Sequence, residues 1–109
     1  MKQKNLILIE YPSTDFESVK IRPALIISND KLNIMSEDCI MVPLTTIMKD
    51  LPYSIIIQPN DLESGKLIKT SRIRIDRITS IKKDLIIKKI GVLNNKQFFN
   101  VKKEIKNLF

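Results

Sequence analysis

The chain has 109 residues, 43% of them hydrophobic and 28% charged, with one cysteine and no histidine. This is globular composition on one domain's worth of chain. It excludes a disulfide framework and leaves almost no means of building a structural zinc site or a histidine-based catalytic centre. The net charge of +7 is unevenly placed: residues 1–65 carry six Lys/Arg against nine Asp/Glu, a net of −3, and residues 66–109 carry thirteen against three, a net of +10. Such an excess points to a polyanionic partner such as nucleic acid.

In chain order, the first apolar run covers residues 6–9 and is stopped by Glu10. Four residues are too few for the apolar core of a signal peptide, which needs about 7–15. No later run approaches the ~20 residues of a membrane span, so a cytoplasmic protein without membrane attachment is expected. Strand-length apolar runs follow at 24–27, 40–42, 55–57, 73–75 and 85–92, rich in isoleucine, whose branched β-carbon favours strands. Turn signals separate them, among them Asn29-Asp30, Asp50-Leu51-Pro52, Asn60-Asp61 and Ser64-Gly65. Many short strands at this spacing predict a small barrel or sandwich. A short helical turn over 80–84 is a weaker signal. The tail is helical: Asn94 or Asn95 can cap it, and Phe98, Val101, Ile105 and Leu108 recur on one face. One domain over 1–109 is expected.

Three constellations offer chemistry. Pro23 biases Arg22 toward extended backbone, so a guanidinium stands at the mouth of a strand. A rigid guanidinium suits stabilisation of a phosphate, though pairing with Asp15 or Glu17 is an equally simple use for it. In Val42-Pro43-Leu44-Thr45-Thr46 a strand ends in two hydroxyls, which can donate to a phosphate or merely ease the exit into a loop. In Arg72-Ile73-Arg74-Ile75-Asp76 the alternation is strict. Ile73 and Ile75 face one way, while Arg72, Arg74 and Asp76 face the other. Three of the four arginines, Arg72, Arg74 and Arg77, crowd this stretch. Cys39 precedes a strand with no partner motif and reads as a buried structural thiol.

These motifs, in their order, carry a resemblance. Ile7-Leu8-Ile9-Glu10-Tyr11-Pro12 followed by Arg22-Pro23-Ala24-Leu25-Ile26-Ile27-Ser28 resembles the opening of PemK/MazF-type toxins. Val42-Pro43-Leu44-Thr45-Thr46 resembles that family's second motif. Ser71 with Asp76-Arg77-Ile78 and Ser80-Ile81 resembles its third, before Gly91 and the closing helix. The likeness covers nearly the whole chain. It implies a mainly β fold with a C-terminal helix, a small SH3-like β-barrel that forms homodimers. It also implies the toxin half of a type II toxin–antitoxin system, neutralised by a cognate antitoxin.

Active members of the family are endoribonucleases that cleave single-stranded RNA without metal or other cofactor. The resemblance puts the catalytic residues at Arg22 and Thr45. RNA contacts fall to Lys20, Phe16, Thr46, Arg72, Arg74, Asp76 and Arg77, with Phe16 the candidate for base stacking. The chemistry is self-consistent, because RNA supplies its own nucleophile in the 2′-OH and no histidine is required. The alternative is a non-catalytic module on the same barrel, binding nucleic acid or protein as gyrase inhibitors do, or a decayed toxin. The loop before Arg22, which lacks the glycine common in the family, favours that alternative; Arg22 and Thr45 together favour the nuclease.

Overall fold

The computed structural model describes residues 1–11 and 20–109. The elements run β1 (Asn5–Tyr11), β2 (Lys20–Ile26), α1 (Asp30–Met35), β3 (Asp38–Thr45), β4 (Ser54–Ile57), β5 (Leu62–Gly65), β6 (Ser71–Arg74), β7 (Thr79–Lys82), β8 (Ile86–Leu93) and α2 (Asn95–Leu108). The strands form one sheet in the order β4-β6-β3-β2-β1-β8-β5, with β7 also on β3, and every pairing is antiparallel. This is the mainly β architecture with a C-terminal helix that the strand spacing predicts, a sheet curled into a half-barrel. Among the described residues no helix is long and apolar enough to cross a membrane.

The sheet curls because β3 serves two partners along one edge. Asp38, Cys39, Ile40 and Met41 pair with β7, whereas Leu44 and Thr45 pair with β6. Val42 and Pro43 fall in the gap between them, a place where a strand tolerates proline. Period-two alternation then builds a core on each side of the sheet. Leu6, Leu25, Val42 and Leu44 point into the barrel with Ile57, Leu67, Ile73, Ile75 and Leu93. Ile7, Ile9, Ala24, Ile26, Cys39 and Met41 pack with Ile81 on the opposite side. Burial pushes the Cys39 thiol up, against the pull of the amino terminus and Lys83, as befits a structural thiol.

Helix α2 closes the barrel as its periodicity predicts. The Asn94 side chain accepts from the Gln97 backbone N–H at 2.9 Å, and Phe98 and Val101 are buried. The stretch 80–84 is strand β7 running into a 3-10 turn (Lys83–Leu85), because Ile81 enters the core opposite Cys39. Two elements lie outside the sequence expectation, α1 and β5. Strand β5 depends on a close approach of the chain's two glycines, Gly65 and Gly91, which face each other in register. Gly65 has φ +85°, and a Cβ there would lie 2.2 Å from the Ile90 carbonyl oxygen. Only glycine fits. Beyond it the chain swings out over residues 66–70 and returns as β6.

Candidate active site

Strand β2 is exposed at Lys20, Ile21 and Arg22 and fully buried at Ala24, Leu25 and Ile26. Its apolar half is thus sunk in the core, and its start projects as a rigid arm. Ala24 pairs with Pro43, Leu25 with Val42 and Ile26 with Met41. The pairing of β2 with β3 ends at Ala24–Pro43, two residues short of Arg22, and Arg22 itself pairs with Ile9 of β1. Thr45 in turn pairs directly with Arg72 across β6. Thr45 and Arg72 therefore form one cross-strand pair, and Arg22 and Thr45 stand at the same end of the neighbouring strands β2 and β3. The spacing of the motifs in the sequence could not reveal that shared end.

Thr45 is half-buried, and its Oγ1 accepts the Ile47 N–H at 3.2 Å. This bond uses a lone pair and leaves the hydroxyl proton to donate. The hydroxyl is therefore available as a donor without needing to ionise. Thr46, the next residue, points to the other face and lines a groove of about 690 Å³ with Leu8, Pro23 and Ile90. Lys66, Lys69, Lys88 and Lys89 edge that groove. Sequence reasoning missed these four lysines. The available signal was the +10 excess in residues 66–109, which gives a region without choosing among its lysines.

The arginines of β6 do not form one array. Ile73 and Ile75 are fully buried, as the alternation predicts. Arg74 is engaged: its Nε and Nη2 donate to the two Asp76 carboxylate oxygens at 2.9 and 2.8 Å. The Arg74 hydrogen bond holds the Asp76 carboxyl below its ordinary value, and the charges of Arg74 and Arg77 act the same way. Arg77 is exposed in the turn that follows. Arg72 departs from the expected solvent-facing role. Its side chain keeps only 9% of its exposure, with Nη1 donating to Ser54 Oγ at 2.8 Å. Alternation assigns a face but not a depth, and the loop after Thr45 folds back over Arg72. Phe16, together with Asp15 and Glu17 as partners for Arg22, lies outside the described residues.

A family described as "PemK-like, MazF-like toxin of type II toxin-antitoxin system" matches residues 2–109. The chain belongs to this toxin family. No curated protein matches it in sequence. Among solved structures it is similar to an endoribonuclease in complex with its cognate antitoxin from a mycobacterial species, at TM-score 0.78 and 19% identity, covering 98% of this chain and 92% of that one. The Mycobacterium tuberculosis toxin MazF-mt6 superposes at TM-score 0.77 and 19% identity, over 94% and 93% of the two chains. A MazE–MazF structure from Deinococcus radiodurans gives 0.78 and 15%, over 99% and 94%. At these identities the structural likeness speaks for the fold. The toxin family membership rests on the match along the chain.

Proposed function

We propose that this toxin is a sequence-selective endoribonuclease that cleaves single-stranded RNA in the cytoplasm, without metal, as a homodimer neutralised by a cognate antitoxin. The observation that carries the reading is that Arg22 and Thr45 lie at the same end of the paired strands β2 and β3, whose other halves are locked in the core. Family membership and the endoribonucleases among its structural neighbours point the same way.

The chemistry needs little from the protein. The ribose 2′-oxygen attacks the adjacent phosphorus, the new O2′–P bond forms and the P–O5′ bond breaks. The products are a 2′,3′-cyclic phosphate and a 5′-OH, with the 2′ proton leaving to water and the 5′-oxygen gaining one. Charge grows on the phosphoryl oxygens during attack. Arg22 neutralises it, and the Thr45 hydroxyl donates to one of those oxygens. Neither role requires a group that titrates near neutrality. Lys20 and Arg77, both exposed, guide the flanking phosphates, and Thr46 with the lysine-edged groove receives the strand beyond the rim.

The test is cleavage of a long single-stranded RNA in EDTA by wild type and by Arg22→Ala, with the product ends analysed. Cleavage at defined sites, ending in cyclic phosphate and lost in the variant, is expected. A folded wild-type protein that binds the RNA without cutting it would overturn the nuclease in favour of a binding module.

A further inference from the structure

Arg72 and Arg74 stand two residues apart on β6, on the same side of the sheet, and their surroundings differ. Arg74 spends the Nε edge of its guanidinium on a carboxylate. Arg72 does not: its Nε is buried without a hydrogen-bond partner among the described residues. Its one hydrogen bond among the described residues goes to Ser54 Oγ, whose own proton is committed to the Leu51 carbonyl at 2.5 Å. Among the described residues Arg72 is paired with the carboxylate of Asp50, 4.0 Å from Nη1 and fully exposed to solvent. That distance is an ion pair without a hydrogen bond.

A buried cation normally has its donors satisfied, because a desolvated charge with open donors is costly. Here the desolvated guanidinium keeps a buried, unpaired Nε edge of the kind that Arg74 uses to grip a carboxylate, and such an edge, once uncovered, fits a phosphate equally well. It lies directly across from Thr45. Asp50 loses little by leaving, since its side chain is already in water.

We propose that Arg72 is a second phosphate-binding residue of the Thr45 site, and that Asp50 is a resident counter-ion which RNA displaces. This rests on the reading of the site as an RNA site. In the free protein Asp50 offsets the buried charge. On binding, the loop carrying Asp50 moves off Arg72, and a phosphodiester one step along the strand from the reacting phosphate takes the Nε edge that this uncovers. Asp50 therefore competes with RNA, and removing its charge strengthens binding through Arg72 alone.

The experiment measures binding of an uncleavable, fully 2′-O-methylated RNA oligonucleotide to the full chain at low salt. Asp50→Asn, an exposed substitution that leaves the core intact, is expected to tighten binding about three- to tenfold. Asp84→Asn, an exposed carboxylate far along the chain, controls for net charge and should change little. In an Arg72→Lys background, which keeps the charge but lacks the Nε edge, the gain from Asp50→Asn should vanish, and Arg72→Lys alone should weaken binding while leaving the salt dependence of log K unchanged. No gain in Asp50→Asn, a gain equal to that of Asp84→Asn, or a gain that survives Arg72→Lys would each overturn the exchange. Should Arg72→Lys fail to fold, the comparison of Asp50→Asn with Asp84→Asn still decides. Cleavage by wild type alongside an inert Asp50→Asn sinks only this proposal. A wild type that neither cuts RNA nor binds the oligonucleotide sinks the RNA reading as a whole.

Discussion

Strands β2 and β3 run side by side, and their two ends are built oppositely. At the end near Ile26 and Met41 two polar side chains turn inward. Ser28 and Asn33 are buried; Ser28 Oγ donates to the Asn33 side-chain oxygen and accepts the Ile40 N–H at 3.0 Å. Asn33 Nδ2 donates to the Ser28 carbonyl at 2.9 Å, and Lys83 Nζ caps the Asn33 carbonyl at 2.9 Å. This network is closed on itself. At the other end Arg22 is exposed, Thr45 keeps a proton to donate, and Arg72 keeps a buried Nε unpaired among the described residues. Polar groups satisfied within the protein hold the fold together; polar groups left with spare capacity at a rigid rim are equipped to hold something else.

The largest expected effect is at the open end. Arg22→Ala should lower RNA cleavage by about 10²- to 10³-fold, the scale of losing one preorganised charge-stabilising donor, with an unchanged thermal midpoint. Next comes the turn that shapes the groove. Gly65→Ala forces a side chain into positive φ and against the Ile90 carbonyl, and should destabilise the protein by about 1–3 kcal/mol in chemical denaturation. Asn33→Ala, at the closed end, should cost about 1–3 kcal/mol by leaving Ser28 and a buried carbonyl unpaired. Its cleavage rate per folded molecule should stay at the wild-type level. Thr45→Val keeps the shape and removes the hydroxyl; the rate should fall by about tenfold, worth one hydrogen bond to a charged oxygen. Removal of the Ile47 N–H contact should cost little, since that amide is exposed.

The smallest effect is a pH dependence. Because Arg74 depresses the Asp76 carboxyl in the folded state, the stability from this pair is fully present above the ordinary carboxylate value of about 3.9. It is lost as pH falls through the lowered value. The pair is partly exposed, so the difference between wild type and Asp76→Asn should stay within about 1 kcal/mol at neutral pH and vanish in strong acid, as read by urea titrations at stepped pH.

The two ends were not equally legible in the chain. Apolar runs announced β1, β2, β3, β4 and β8, and the Phe98-Val101-Ile105-Leu108 stripe announced α2. Helix α1 left no such trace, because Leu32, Ile34 and Met35 are exposed and only Asn33 is buried. Its caps and the Ser28–Asn33 bonds hold it instead of an apolar face. Strand β5 has no hydrophobic alternation and exists through the Gly65–Gly91 approach. At the open end, the motifs named Arg22 and Thr45, but only the pairing of β2 with β3 shows that they lie at one end of the strand pair. The same alternation that placed Ile73 and Ile75 correctly said nothing of the Asp50 loop over Arg72. Burial and counter-ions are set by chain segments far apart in sequence.

The central claim is that stability and chemistry are divided between the two ends of one strand pair. Its most direct test measures the thermal midpoint and the RNA cleavage rate together, in the same preparations, for wild type, Arg22→Ala and Asn33→Ala. The account predicts a crossed result: Arg22→Ala keeps the midpoint and loses cleavage, and Asn33→Ala loses midpoint and, below its transition, keeps cleavage. Cleavage that follows the midpoint in both variants, or that survives Arg22→Ala, would contradict it.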